Sequence, residues 1–478
     1  MALAITGGTI IDATGGAPIK DGVILIDKGR ILAIGGGNSA VPADAQKIDA
    51  KGKYLIPGLM NANVHMSAGL MNVERSLRHM HQYEEVIAES LQIALKGGFT
   101  TVFDTAGLRR PLMAVRDKIN AGKVIGSRLF CAGWIVGTDG MFSADHDPRA
   151  MQILSAGFMR RMNAMCSENV GRHLMWLPAK QVAEEIRKYI AKGIDFLKYA
   201  SNEHFGSSAG ALINFSPRVQ AAIVNEAHRA GLTAQAHTMS GEGVHMAVEA
   251  GCDILQHVNI SGPVPIAEET LELMAKRQVG AVIFPHTRNG MEWIKKIAGE
   301  MEWVTLQSAE ANIRNLIRCG TPLLLANDGM IFPPEWKADP KNSMNQAGLP
   351  EADNLINLAT GHFVWFRAME EKGCPAMQIL QAATRNIAEA YGKDKDLGTL
   401  EKGKIADLLI LDKDPLQAAE NYRSIHTIIK DGAVIDREAL PLNPILTKPD
   451  PAAEEEASYI PFIASGPRLP MCPMCMGG

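Results

Sequence analysis

Five side chains able to hold a metal or move a proton stand at the ends of separate short apolar runs: His65, Lys198, His237, His257 and Asp328. Singly, none is informative. A histidine in an apolar strand is ordinarily a hydrogen-bonded core residue, and a lysine an ion-pair partner. Together they are costly to bury unless a cation compensates them. Asn63 precedes His65 by two residues, so strand alternation puts both on one side. Imidazoles and carboxylates suit divalent transition metals, here one or two ions of Zn, Co, Mn or Fe. Such a metal lowers the pKa of water and polarises a carbonyl. Asp328 is then placed to take a proton and hand it to a leaving nitrogen.

Groups so far apart in the chain need a scaffold with many equivalent strand ends. From residue 54 onward, short apolar runs alternate with helical segments, the pattern of βα units. The runs cover 54–65, 99–105, 128–136, 195–200, 232–238, 252–258, 280–286 and 321–328. Between them, Val182, Ile186 and Ile190 mark a helix that Gly193 stops, and Ser216-Pro217 opens another that ends at Gly231. The expected fold is α/β: a (β/α)8 TIM barrel over 56–390 with a small β-sandwich domain formed by both chain ends. Residues 1–55 and 391–440 supply that domain, with a hairpin in 22–35, and 441–478 form a surface tail. The insertions 137–178 and 330–350 follow the third and eighth strands, where barrel loops build active sites; Phe332 and Trp336 lie in the second.

The net charge of −4 over 478 residues gives no reason to invoke nucleic acid or an anionic membrane. No apolar run reaches about 18 residues, so no membrane span is expected. The first residues lack a basic leader pattern, and the seven cysteines are an odd count, mostly inside apolar segments. A cytoplasmic protein with reduced thiols is expected. Cys472 and Cys475 form a lone Cys-x-x-Cys pair, read as part of a mobile tail.

The segment Ile56-Pro57-Gly58-Leu59-Met60-Asn61-Ala62-Asn63-Val64-His65 resembles the first-strand motif of the amidohydrolase superfamily. Ala236-His237, Gln256-His257 and Asn327-Asp328 match its later ligand strands. Ala382–Ala388 and Leu397–Leu408 resemble its C-terminal signature, so the resemblance spans nearly the whole chain. It implies that Asn63 and His65 bind a buried metal, that Lys198 is carboxylated on its amine and bridges two metals, and that His237 and His257 bind the more exposed one. It implies that Asp328 binds the buried metal and shuttles protons, and that the protein is a homo-oligomer.

The superfamily has His-x-His where this chain has Asn63-x-His65. An amide oxygen is the weaker ligand; either Asn63 ligates loosely or it stands aside and one metal is bound. Asn-x-His looks like the branch of bacterial phenylurea hydrolases and molinate hydrolase. The resemblance implies attack of metal-activated water on a urea carbonyl, cleaving the C–N bond of a diuron- or linuron-type phenylurea to an aniline and a carbamic acid. The alternatives are a thiocarbamate hydrolase, an Xaa-Pro or N-acyl amino acid hydrolase, and a non-catalytic scaffold. His286 is expected to hydrogen-bond the substrate carbonyl and His146 to contact the leaving group. Met141 and Phe142 offer an apolar surface for a small urea or carbamate, and Arg288 is the candidate for a substrate carboxylate.

Overall fold

The computed structural model describes residues 2–449 except 38, 69–72, 147–149, 204–211, 298–303, 305 and 335–348. Trp336, Cys472 and Cys475 lie outside the described residues.

The chain begins with β1 (Leu3–Ile10), β2 (Ile19–Asp27), β3 (Arg30–Gly35), β4 (Gln46–Asp49) and β5 (Tyr54–Pro57). The expected hairpin is β2–β3, antiparallel, turning at Lys28 and Gly29 with φ of 48° and 77°. Two left-handed residues match the twist of the flanking strands, which is why glycine follows lysine here.

Next come β6 (Leu59–Val64), β7 (Phe99–Asp104), β8 (Arg128–Cys131), β9 (Leu197–Ala200), β10 (Ala234–His237), β11 (Ile254–Gln256), β12 (Gly280–Ile283) and β13 (Leu323–Leu325). Each expected run contains one of them. They form two parallel sheets, β6-β7-β8 and β13-β12-β11-β10-β9. Both seams between the sheets carry an isolated parallel bridge, Val64 with Gly329 and Val136 with Tyr199. These strands are almost wholly buried, as parallel strands covered on both faces are. The two expected helices are Ala179–Ile190 and Pro217–Arg229. Their Ile186 and Ile223 share one core with the strand residues Val102, Leu255 and Leu324.

One run is divided. The stretch 54–65 breaks at Gly58, so that β5 pairs antiparallel with a strand from the C-terminal segment while β6 pairs with β7. A Cβ on Gly58 would lie 2.2 Å from Thr100 Oγ1, so only glycine lets the chain pass from one sheet to the other.

The chain ends do come together. Strands β14 (Leu408–Leu411), β15 (Ile425–Lys430) and β16 (Ala433–Val434) join the N-terminal strands in one sheet ordered β16-β15-β14-β5-β1-β2-β3, with β4 beside β1. Ile24 and Ile31 from one margin pack with Leu408, Ile410 and Ile429 from the other in a single apolar cluster. Arg128, on β8, ties this sheet to the parallel strands by donating to Asp407 at 3.1 Å and to Asp431.

The expected tail starts as a bound strap along the helix Tyr83–Lys96. Lys96 Nζ donates to Leu440 O (2.8 Å), and Gln92 accepts from Leu442 N (2.8 Å). Buried Glu89 accepts from Leu446 N (2.8 Å) and Thr447 N (3.0 Å). Among the described residues no helix is long and apolar enough to cross a membrane.

Candidate metal centre

The predicted residues gather where the parallel strands end. His237 is the last residue of β10, and His257 follows β11. Their rings meet edge-on with centroids 4.5 Å apart, His237 Nδ1 lying 2.8 Å from His257 Nε2. His65 follows β6 and Asp328 lies beyond β13; His65 Nε2 is 3.1 Å from Asp328 Oδ1. Among the described residues, no three His, Cys, Asp or Glu side chains already surround one point. The candidates form two pairs, with Lys198 and Asn63 as further donors.

Two tautomers follow from the neighbours. His257 Nδ1 is 3.0 Å from Thr238 O, and His65 Nδ1 is 3.2 Å from Ala106 O. A carbonyl only accepts, so both Nδ1 atoms carry hydrogen, which leaves Nε2 as the nitrogen of each ring that could turn a lone pair to a cation. Here His65 Nε2 hydrogen-bonds Asp328 Oδ1 and His257 Nε2 hydrogen-bonds His237 Nδ1. Imidazoles each held by a carbonyl on Nδ1, with Nε2 turned to a second potential ligand, are the donor set of a cation site. The residues fit a divalent metal.

The electrostatics agree. Burial raises the Asp328 carboxyl, but the His65 hydrogen bond and charge outweigh it, with His257 and Lys198 adding, and the group is held below its ordinary value. Burial pulls His257 down to about 4, against the charge of Asp328. His257 and Asp328 also take positive φ, 37° and 50°, left-handed backbone that non-glycine residues seldom adopt away from functional sites.

Lys198, buried on β9, reaches across to donate from Nζ to Thr105 Oγ1 at 3.0 Å. Thr105 in turn donates to Asn63 Oδ1 at 2.5 Å. Asn63 is fully buried, and its Nδ2 has no hydrogen-bond partner among the described residues. Strand β6 carries one extra residue between Asn61 and Val64, opposite Val102 and Asp104, so simple alternation does not hold here. Both Asn63 and His65 nevertheless reach the end of β7.

His146 is buried and set edge-on to Trp134, centroids 4.8 Å apart. Burial, then the charges of His65 and Lys198, bring it to about 3, which places it within the electrostatic reach of those two residues. Met141 and Phe142 pack beside Trp134 with Val73, Leu108, Met162 and Cys166. His286 is buried, and burial followed by the charge of Lys372 lowers it to about 4; its Nε2 has no hydrogen-bond partner among the described residues. Arg288 is not brought to the pairs. It is exposed at the start of the helix Arg288–Ile297, whose Met291 and Ile294 take the buried face, and its main-chain N–H donates to Glu371 at 2.8 Å.

Sequence reasoning missed Thr105 and Asp104. Asp104, wholly buried, accepts from Met66 N at 2.7 Å, and burial pushes it up to about 6 against the charges of His65 and Lys198. Ser90 Oγ donates to Met66 O at 2.8 Å, so the main chain of Met66, next to His65, is held at both its N–H and its C=O. The signal was a carboxylate inside an apolar strand, which pattern reading passes over without a partner spacing.

A scaffold of parallel strands presenting this donor set defines a metal-dependent hydrolase. Residues 54–435 match the model of the amidohydrolase family, and the chain belongs to that family. The structure of molinate hydrolase is similar with a TM-score of 0.87 and 35% identity, covering 94% of this chain and 98% of that one. Phenylurea hydrolase B is similar with a TM-score of 0.88 and 32% identity, covering 94% and 100%. Ochratoxinase of Aspergillus niger is 23% identical over 427 residues, 84% of this chain and 79% of that protein. Members of the family generally use divalent metals and a carboxylated lysine, and the fold of these neighbours is a TIM barrel.

Proposed function

We propose that this hydrolase cleaves the C–N bond of a phenylurea, releasing an aniline and a carbamic acid. The observation that carries the reading is the pairing of carbonyl-anchored imidazoles with an ionised Asp328 beside buried Lys198. The similarity to phenylurea hydrolase B supports the substrate class. The similarity to molinate hydrolase favours a thiocarbamate as the second reading.

The eight parallel strands are read as one barrel over 56–390 closed by the two seam bridges, and the terminal sheet, whose margins share a core, as the β-sandwich of 1–55 and 391–440. His65, His237, His257 and Asp328, with Asn63 and carboxylated Lys198, are the residues that hold one or two divalent metals. A bound metal supplies polarisation of the carbonyl and a lowered pKa for water. Asp328 is the base: held ionised, it takes the proton from water and returns it to the leaving nitrogen. His286, neutral above pH about 4, donates from Nε2 to the carbonyl oxygen. His146 lies against the leaving group, backed by the Trp134, Met141 and Phe142 cluster. Exposed Arg288 leaves a substrate carboxylate unaided, which argues against acyl amino acids and dipeptides.

The test is a panel of phenylureas, thiocarbamates, N-acyl amino acids and Xaa-Pro dipeptides, read as amine or thiol release. Aniline from phenylureas is expected; turnover of acyl amino acids alone would overturn the reading. Lys198→Ala should lower kcat by about 1,000-fold or more and lose bound metal.

A further inference from the structure

The hydroxyl of Thr105 has one proton, and it sits between two residues proposed to hold metal. With Lys198 unmodified, Nζ donates to Thr105 Oγ1, so the threonine proton goes to Asn63 Oδ1. That bond takes one lone pair of the only atom through which Asn63 can ligate and holds the amide with Oδ1 on Thr105, leaving buried Nδ2 without a partner among the described residues. An N–H group cannot bind a cation. The arrangement seen therefore commits the ligating oxygen of Asn63 to the Thr105 hydroxyl.

We propose that Thr105 couples carboxylation of Lys198 to ligation by Asn63. The inference rests on the reading that Lys198 is carboxylated. In that step the amine nitrogen bonds to the carbon of CO2, one C=O electron pair moves onto oxygen, and the nitrogen gives one proton to water. The product is a carbamate, whose carboxylate oxygens accept hydrogen bonds. Thr105 then turns its proton to the carbamate. Its lone pairs are left for a donor, and rotation of the Asn63 amide by half a turn supplies Nδ2–H. The rotation satisfies the orphaned nitrogen and frees Oδ1, so that Asn63 becomes a ligand only once the lysine is modified. Amide orientation responds to its hydrogen-bond partners in this way because its two ends are nearly the same shape. Thr105 is a positioning residue, acting through its neighbours.

The test uses the full chain stripped of metal and titrated with Zn2+, in CO2-depleted buffer and with bicarbonate, the dissociation constant being read by calorimetry. In wild type, Asn63→Ala is expected to change Zn2+ affinity less than 2-fold without bicarbonate and to weaken it about 10-fold with it. In a Thr105→Val background the cost of Asn63→Ala should be the same in both buffers, and Thr105→Ser should restore the difference. Far-ultraviolet circular dichroism checks that each variant is folded; the serine variant keeps the comparison valid if valine disturbs the fold. An equal cost of Asn63→Ala in both wild-type buffers, while bicarbonate still tightens Zn2+ binding, overturns the coupling and leaves the carboxylated-lysine reading standing. Bicarbonate without effect on wild type, with Lys198→Ala binding as wild type does, overturns both.

Discussion

At the scale of single residues, the site holds neutral imidazoles where free histidine would be partly charged. His257 and His286 are lowered to about 4, His146 and the core residue His362 to about 3, with burial the first cause in each. In the unfolded chain these groups take up protons below pH about 6.5. In the folded, metal-free chain they do so only below about 4, so stability falls as pH drops through that window. Asp104 opposes this: its folded value near 6 lies above the unfolded one, so its contribution is complete at low pH and is lost as pH rises through 6. Four imidazoles outweigh one carboxyl, each worth about 3 kcal/mol once fully expressed. The urea midpoint of metal-free protein should drop steadily from pH 7 to pH 5; a flat midpoint would mean these rings are not buried neutral. The five strand-end residues were legible because ligands recur at equivalent places in a repeating βα pattern. Thr105 and Asp104 were not, since a polar residue ending an apolar strand resembles any other until its partner, nearly a hundred residues away for Thr105 and Lys198, is known.

At the scale of elements, the eight parallel strands were readable from their apolar runs, and both helices singled out were found, displaced by about two residues. The division of 54–65 was hidden because β5 and β6 are both apolar and only Gly58 separates them. A Gly58→Ala variant measures how tight that crossing is. The added methyl would strike the Thr100 side chain, and the expected cost is about 1–3 kcal/mol of stability, seen as a lower melting temperature. If Thr100→Ala in the same chain fails to restore stability, the crowding is not the cause. The bulge in β6 was equally invisible, since register is a property of two strands and the sequence presents one.

For the whole molecule, the proposed ligands come from β6, β9, β10, β11 and β13 or the turns after them, so a metal bound by them would tie both parallel sheets together. Binding to the folded state alone stabilises it by mass action, about 2.7 kcal/mol when free metal is 100-fold above Kd. Chelation should therefore lower the melting temperature by several degrees, and re-adding the native metal should restore it. An unchanged melting temperature would show that the centre is not where the fold is held. The meeting of the two chain ends was legible from their strand-like character, whereas the strap was not: 440–447 has no periodicity and is held through its own backbone groups by the side chains of Glu89, Gln92 and Lys96. That strap decides where the protein tolerates alteration. Glu89 is followed by Ser90, whose hydroxyl donates to the carbonyl of Met66, so a chain cut back past Leu446 would be felt beside His65. An affinity handle or a surface linker placed downstream of Thr447 leaves the contacts to Glu89, Gln92 and Lys96 intact.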